Sequence, residues 1–269
     1  HVLPGSRTYA VATAGCNLRC KFCQSWEISQ AAPEELINHD VPPEVLVTRA
    51  REARCTSVAF AYVEPAVFCE YALDVADAAR RAGLRIVLHS GGFVNPAPLA
   101  DLCGAVDAVN IDLKGWTDAF YRELCEGERA PVLATLTALK RAGVHLEITN
   151  LVIPTQNDNL SDIRAMCGWI VRELGADTPL HFARFYPLYR LRNLPPTPVS
   201  VLEQARVAAL SAGLRYVYLG NIPGHEAEHT YCPRCRRAAI ERSGFMVRGY
   251  HLKDGACGTC GNPLPGLWA

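Results

Sequence analysis

The segments RRAGLRIVL (80 to 88), KRAGVHLEI (140 to 148) and LSAGLRYVY (210 to 218) share one design. Each ends a helical pattern with Ala-Gly and then enters an apolar, β-prone run. Gly83, Gly143 and Gly213 fall just past the helix end, where left-handed backbone costs little for a residue without a Cβ. Repeated helix-to-strand joints of this kind mean repeated β-α units. Short apolar runs recur at 7–13, 56–63, 85–90, 107–113, 145–153, 180–185 and 216–220, with amphipathic stretches such as 44–54 and 132–142 between them. The pattern predicts an α/β chain whose parallel sheet closes partly into a (β/α)6-type barrel; a doubly wound open sheet is the alternative. At 269 residues, 49% of them hydrophobic, the chain suits one barrel-sized core with a small addition. The character changes after Gly224, where one alternating stretch, FMVRGYHL, is framed by YCPRC and CGTC. Residues 1–224 therefore read as the barrel and 225–269 as a small separate module.

Lys plus Arg and Asp plus Glu balance at 27 each, so no net field draws the chain to nucleic acid or to an anionic membrane. No run of about 18 apolar residues is present, and HVLPGSRTY lacks the charged and apolar regions of a signal peptide. A cytoplasmic location is expected. The chain opens without Met and almost on a strand, which reads as a piece of a longer one. Twelve cysteines in a reducing compartment point to metal ligation rather than disulfides.

Three of them, Cys16, Cys20 and Cys23, lie in AGCNLRCKFCQSW with the spacing C-x3-C-x2-C. Thiolates are soft ligands that select zinc, copper(I) or iron-sulfur clusters. A closed zinc site wants a fourth ligand, and the nearest in sequence are His39 and Cys55. A 4Fe-4S cluster held by three thiolates instead leaves one iron open to substrate. This spacing, with Phe22 before the last Cys, resembles the signature of the radical SAM enzymes. The resemblance implies a 4Fe-4S cluster whose open iron chelates S-adenosylmethionine and reductively cleaves it to a 5'-deoxyadenosyl radical. It also implies an electron donor such as a flavodoxin or ferredoxin.

Function collects at the carboxyl ends of parallel barrel strands. Reading those ends gives Cys16, Glu64, Ser90 with Gly91, Asp112 with Lys114, Asn150, His181 with Arg184, and Asn221. Asp112 and Lys114 share a strand face with Asn110, and Val109, Ile111 and Leu113 take the helix-facing side. An internal Asp-Lys ion pair is the plain reading of that motif and is compatible with a ligand role. Arg184 lies an odd number of positions from His181, so a regular strand cannot aim both inward; a bulge, or His181 at the strand's edge, is expected.

YCPRC and CGTCG place Cys232, Cys235, Cys257 and Cys260 as C-x2-C-x21-C-x2-C, a zinc-ribbon pattern in which two knuckles complete a tetrahedron. Rubredoxin-like iron and an auxiliary iron-sulfur cluster are the alternatives. His225 and His229 are left outside that site, and PLPGLWA is expected to pack back on the barrel.

Together with HFARFYP, these motifs make the chain similar to the AmmeMemoRadiSam-system radical SAM enzymes, relatives of the pyruvate formate-lyase activating enzymes. The resemblance implies contacts to S-adenosylmethionine from Glu64 in AYVEP, from Ser90 and Gly91 in HSGG, from Asp112 and Lys114 in DLK, from Asn150 in NLVIPTQND, and from His181. It leaves the hydrogen-atom donor open, with a Memo-type protein as a plausible partner and glycyl-radical activation or partner docking on a metal-binding scaffold as alternative functions. Ser25 stands where members carry Asn. Gln24, Trp26, Glu27, Tyr62, Arg184 and Tyr186 are the residues expected to face substrate, with Glu27, Tyr62 and Arg184 in catalytic roles.

Overall fold

The structure, a computed structural model, describes residues 1–268. Its main sheet has seven strands in chain order: β1 Thr8–Val11, β2 Ser57–Phe60, β3 Arg85–Ser90, β4 Ala108–Asp112, β5 His145–Val152, β6 Leu180–Arg184 and β7 Val217–Gly220. Every neighbouring pair is parallel. A doubly wound sheet needs a point where strand order reverses; sequential order without a reversal gives a partial barrel, one strand longer than the six-unit form expected. No pairing joins β1 to β7 among the described residues.

The helices α1 Trp26–Ser29, α2 Pro43–Glu52, α3 Cys69–Arg81, α4 Pro96–Ala105, α5 Asp118–Phe120, α6 Arg129–Arg141, α7 Leu160–Leu174 and α8 Val199–Ser211 fill the crossovers. Gly83, Gly143 and Gly213 have φ of +73°, +76° and +107°, as the repeated Ala-Gly joints require. On β4, Val109 and Ile111 are buried, while Asn110 and Asp112 on the opposite face are only half-buried. Each buried aliphatic side chain contributes about 2 kcal/mol. The alternation therefore commits one face to the helices and frees the other for polar side chains.

Beyond β7 come β8 Thr230–Tyr231, β9 Ala238–Ser243, β10 Met246–Tyr250, β11 Leu252–Lys253 and β12 Ala256–Cys257. They form a three-stranded antiparallel sheet and a two-stranded ribbon. Their apolar residues Ala239, Ile240, Leu252 and Leu264 cluster with Cys232, Cys257, Tyr216 and Tyr218. Two tyrosines from the end of the barrel thus anchor the C-terminal segment. PLPGLW packs back as expected: Leu264 is buried, Leu267 bridges Val2, and the Trp268 ring lies 5.4 Å from that of His1; Ala269 lies outside the described residues. No helix among the described residues is long and apolar enough to cross a membrane.

Candidate cofactor site

The loop after β1 carries Cys16, Cys20 and Cys23 over the carboxyl ends of the strands, where their thiols line a cleft of about 360 Å³. Leu18 in the middle of that loop is buried and pins it to the barrel. Two glycines receive it: a Cβ on Gly91 would come within 3.0 Å of Leu18 Cδ1, and one on Gly127 would collide with Leu18 Cδ2. Among the described residues only the C-terminal cysteines converge closely enough for a single ion. Cys16, Cys20 and Cys23 stand wider apart, as three ligands of a multi-iron cluster must, and this soft, three-thiol donor set fits a 4Fe-4S group.

Glu64 projects into the same cleft from the end of β2, only 2% exposed. Its carboxylate accepts from Ser90 Oγ at 2.7 Å, from Gly91 N–H at 2.7 Å and from Ala66 N–H at 3.2 Å. Burial raises its pKa, and these three donors oppose that rise. At the end of β4, Lys114 Nζ donates to Asp112 Oδ2 at 3.0 Å, and His89 Nε2 meets Asp112 Oδ1 at 2.9 Å. Burial alone would push the Asp112 carboxyl up. The Lys114 ammonium and His89 outweigh burial and hold it well below the usual range. Lys114 also suffers burial, yet the Asp112 charge keeps its pKa well above that of a free lysine. The Asp112 charge is likewise the main cause of a raised His89 pKa. An ion pair is therefore present, and both its members face the cleft.

Two expected contacts fall elsewhere. β5 turns Thr149 and Leu151 to the cleft, so Asn150 points to the helix side, where its Nδ2 donates to Leu113 O at 2.7 Å. Asn157, not anticipated, donates to Lys114 O at 2.8 Å. Both amides hold the DLK backbone in place. β6 pairs with β5 in unbroken register, so no bulge reconciles His181 with Arg184. His181 instead stacks on Tyr218 and bonds Glu147 Oε2 at 2.6 Å, off the cleft wall, which β6 supplies through Ala183. Arg184 donates to Thr197 O at 2.8 Å and to Tyr186 Oη at 3.2 Å, also outside the lining.

Of the residues expected to face substrate, Gln24 and Tyr62 line the cleft. Trp26 stacks on Tyr189 at 5.1 Å, Glu27 is exposed on α1, and Tyr186 Oη donates to Asn221 O at 3.3 Å. Tyr62 and Asn221 hold left-handed φ of +72° and +61°, a costly backbone for residues with a Cβ. His89 escapes the sequence reading although HSGG does not. The signal for it is a strand-end position in register opposite Asn110, on the face that carries Asp112.

Near the C-terminus the thiol sulfurs of Cys232, Cys235, Cys257 and Cys260 lie within 4.8 Å of one another, with Cys232–Cys260 at 3.6 Å and Cys235–Cys257 at 3.7 Å. A tetrahedral ion with metal–sulfur bonds of about 2.3 Å needs sulfurs about 3.8 Å apart, so the residues fit one ion. Despite burial, the backbone N–H groups of Thr259 and Cys260 and the neighbouring thiols bring Cys257 down to about 6.

Residues 11–167 match the radical SAM superfamily. An uncharacterized protein of Methanocaldococcus jannaschii is 41% identical over 266 residues, covering 98% of this chain and 79% of its own length. The pyruvate formate-lyase-activating enzyme of Clostridium pasteurianum is 24% identical over 169 residues, covering 62% of this chain and 70% of that enzyme. Streptococcus suis SuiB bound to S-adenosylmethionine shares the fold with a TM-score of 0.64 at 10% identity, over 81% of this chain and 51% of SuiB. A domain of the Bacteroides vulgatus pyruvate-formate lyase-activating enzyme does so with a TM-score of 0.55 at 14% identity, over 61% of this chain and 99% of the domain. The family uses a 4Fe-4S cluster and S-adenosylmethionine, and the thiol loop, Glu64, Ser90, Gly91, Asp112 and Lys114 all lie within the matched stretch and on one cleft. This chain belongs to the radical SAM superfamily.

Proposed function

We propose that the chain is a radical SAM enzyme that abstracts a hydrogen atom from a protein or small-molecule substrate. The observation that carries this reading is the convergence of three loop thiols, a buried carboxylate and an Asp-Lys pair on one cleft at the strand ends. Cys16, Cys20 and Cys23 would hold the 4Fe-4S cluster, which with S-adenosylmethionine supplies radical generation when bound. Glu64, already fixed by three donors, offers its remaining lone pairs to an ammonium group. Asp112 and Lys114 present one acceptor and one cation to the polar parts of the cofactor, and Ser90 and Gly91 bring backbone close to it. Leu18 and Phe22 keep that wall of the cleft apolar and limit water. Tyr62 and Gln24 are left on the lining to meet a substrate.

The reading places the protein in the cytoplasm, where thiol-held centres stay reduced, and takes a flavodoxin or ferredoxin as electron donor. The C-terminal four-cysteine site would hold zinc and act structurally, with residues 225–269 as its module. Glycyl-radical activation is the second reading, supported by the similarity to the Clostridium pasteurianum activating enzyme. The AmmeMemoRadiSam resemblance instead favours a Memo-type partner.

Anaerobic reconstitution with iron and sulfide, then dithionite and S-adenosylmethionine, should yield 5'-deoxyadenosine and methionine. No product above a Cys20→Ala control would reject the enzyme reading. A glycyl radical detected by electron paramagnetic resonance on a protein encoded beside this one would select the activase.

A further inference from the structure

Charge balances over the whole chain but not along it. Between Cys232 and Cys260 stand six cations, Arg234, Arg236, Arg237, Arg242, Arg248 and Lys253, against two acids, Glu241 and Asp254. Arg242 is tied inward, donating to Thr230 Oγ1 at 2.7 Å and to Glu228 O at 3.2 Å. The other five are exposed, and among the described residues none of them enters an ion pair. Part of this excess lies beside aromatic rings. Burial alternates along β10, which turns Val247 toward Gly5 and leaves Met246, Arg248 and Tyr250 outward. Phe245, at the tip of the β9–β10 hairpin, is 106% exposed, and Tyr250 is 44% exposed. Tyr250 also lines a groove of about 530 Å³ that Arg237 and Lys253 share. Glu241 is the one acid among the described lining residues, and His251 Nε2 covers it at 3.3 Å. A Cβ on Gly258 would lie 2.6 Å from His251 O, so only glycine lets the second cysteine turn form a wall of the groove. The groove and the cofactor cleft have no lining residue in common.

We infer that the strip from Phe245 along β10 into this groove binds a single strand of nucleic acid, with Arg237, Arg248 and Lys253 on its phosphates and Phe245 and Tyr250 under its bases. Protein interfaces gather their apolar residues at a dry centre. Here Arg248 separates the two rings, and unpaired cations flank them. A second copy of the chain would bring the same unpaired charges together. A nucleic-acid strand answers both features, because its phosphates neutralise the cations and its bases offer a face to each isolated ring. This binding needs neither the cluster nor S-adenosylmethionine.

The test is fluorescence anisotropy of a labelled oligouridylate of about 12 nucleotides, titrated with the metal-loaded protein across a salt series. Three phosphate contacts should give a log–log slope of about −2 against salt. Arg237→Ala and Lys253→Ala should each reduce that slope by about 0.7. Tyr250→Ala should weaken binding about fivefold to a hundredfold, the loss of one stacked base. Should a groove variant misfold, Phe245→Ala at the exposed tip and Arg248→Ala on the outward face give the same two readings. A polyglutamate peptide and vesicles of anionic lipid, at matched charge, serve as competitors. No binding of the oligonucleotide at ~50 mM salt would overturn the inference. So would binding that the folded variants leave unchanged, or displacement of the oligonucleotide by the peptide or the vesicles. Each of these outcomes leaves the enzyme assignment standing, since the cofactor cleft is elsewhere.

Discussion

The two thiol sites of this molecule are built on opposite plans. At the C-terminus, Cys232, Cys235, Cys257 and Cys260 come from two close turns, and their sulfurs converge within 4.8 Å. At the barrel mouth, Cys16, Cys20 and Cys23 come from one loop, spread around a cleft, and leave space bounded by Glu64, Asp112 and Lys114. With a metal bound, the first plan would close a coordination sphere and tie short strands together. With a cluster bound, the second would keep a position open and surround it with charge. A closed sphere serves stability, and an open one serves chemistry.

The largest expected effect separates the sites by activity. Cys16→Ala should reduce S-adenosylmethionine cleavage to background and lower iron content, yet leave the thermal midpoint within a few degrees of the wild type. Cys257→Ala should do the reverse in kind. It should release the C-terminal metal and cost several kcal/mol, a fraction of the ~10 to ~16 kcal/mol that zinc supplies in isolated zinc-binding peptides. Metal analysis and urea unfolding followed by tryptophan fluorescence check both. Equal stability losses in the two variants would break the comparison.

A smaller effect concerns the charge around the open site. Lys114→Met removes the ammonium paired with Asp112 and leaves that carboxylate with His89 alone, in a setting where Lys114 is 13% and Asp112 28% exposed. About 3 kcal/mol should be lost by chemical denaturation, because a partly buried carboxylate loses its lysine partner. Adding Asp112→Asn should recover part of that loss, and a merely additive double variant would show that the pair is not coupled.

The smallest effect is a pH dependence. The Asp112 charge raises the His89 pKa, so the stability from that contact is complete below the ordinary histidine value of about 6.5. It is lost as pH rises through the higher folded value. Asp112 has the opposite sign: its contribution is present above the ordinary carboxylate value of about 3.9 and is lost as pH falls toward its depressed folded value. Nuclear magnetic resonance titration of the His89 ring should show an elevated midpoint that returns toward the ordinary value in Asp112→Asn. Identical midpoints in the two proteins would remove His89 from the site.

Much of this was legible in the chain because it depends on local rules. The Ala-Gly joints announced β-α units, since only glycine accepts a φ such as the +107° of Gly213 cheaply. The period of two on β4 separated Asn110 and Asp112 from Val109 and Ile111. Both cysteine patterns followed from spacing alone. What misled was parity on longer strands: Asn150 lies in a suggestive motif, but Thr149 and Leu151 own the inward face, so its amide supports Leu113 and not the cleft. His181 was drawn off by Glu147, a partner 34 positions away whose role no local pattern announces.

By itself the sequence determined the unit of the fold, the identity of both thiol sets and the acid-base pair on β4, because each is written in spacings of a few residues. Only the tertiary structure decided which of those groups share a space. Glu64 meets Ser90 across 26 positions, and the carbonyls of Cys125 and Leu124 accept from Arg19 and Lys21 N–H on either side of Cys20, with Gly127 packed on Leu18. Such meetings depend on how strands and crossovers settle around one another. That arrangement is a sum over the whole core and has no local signature.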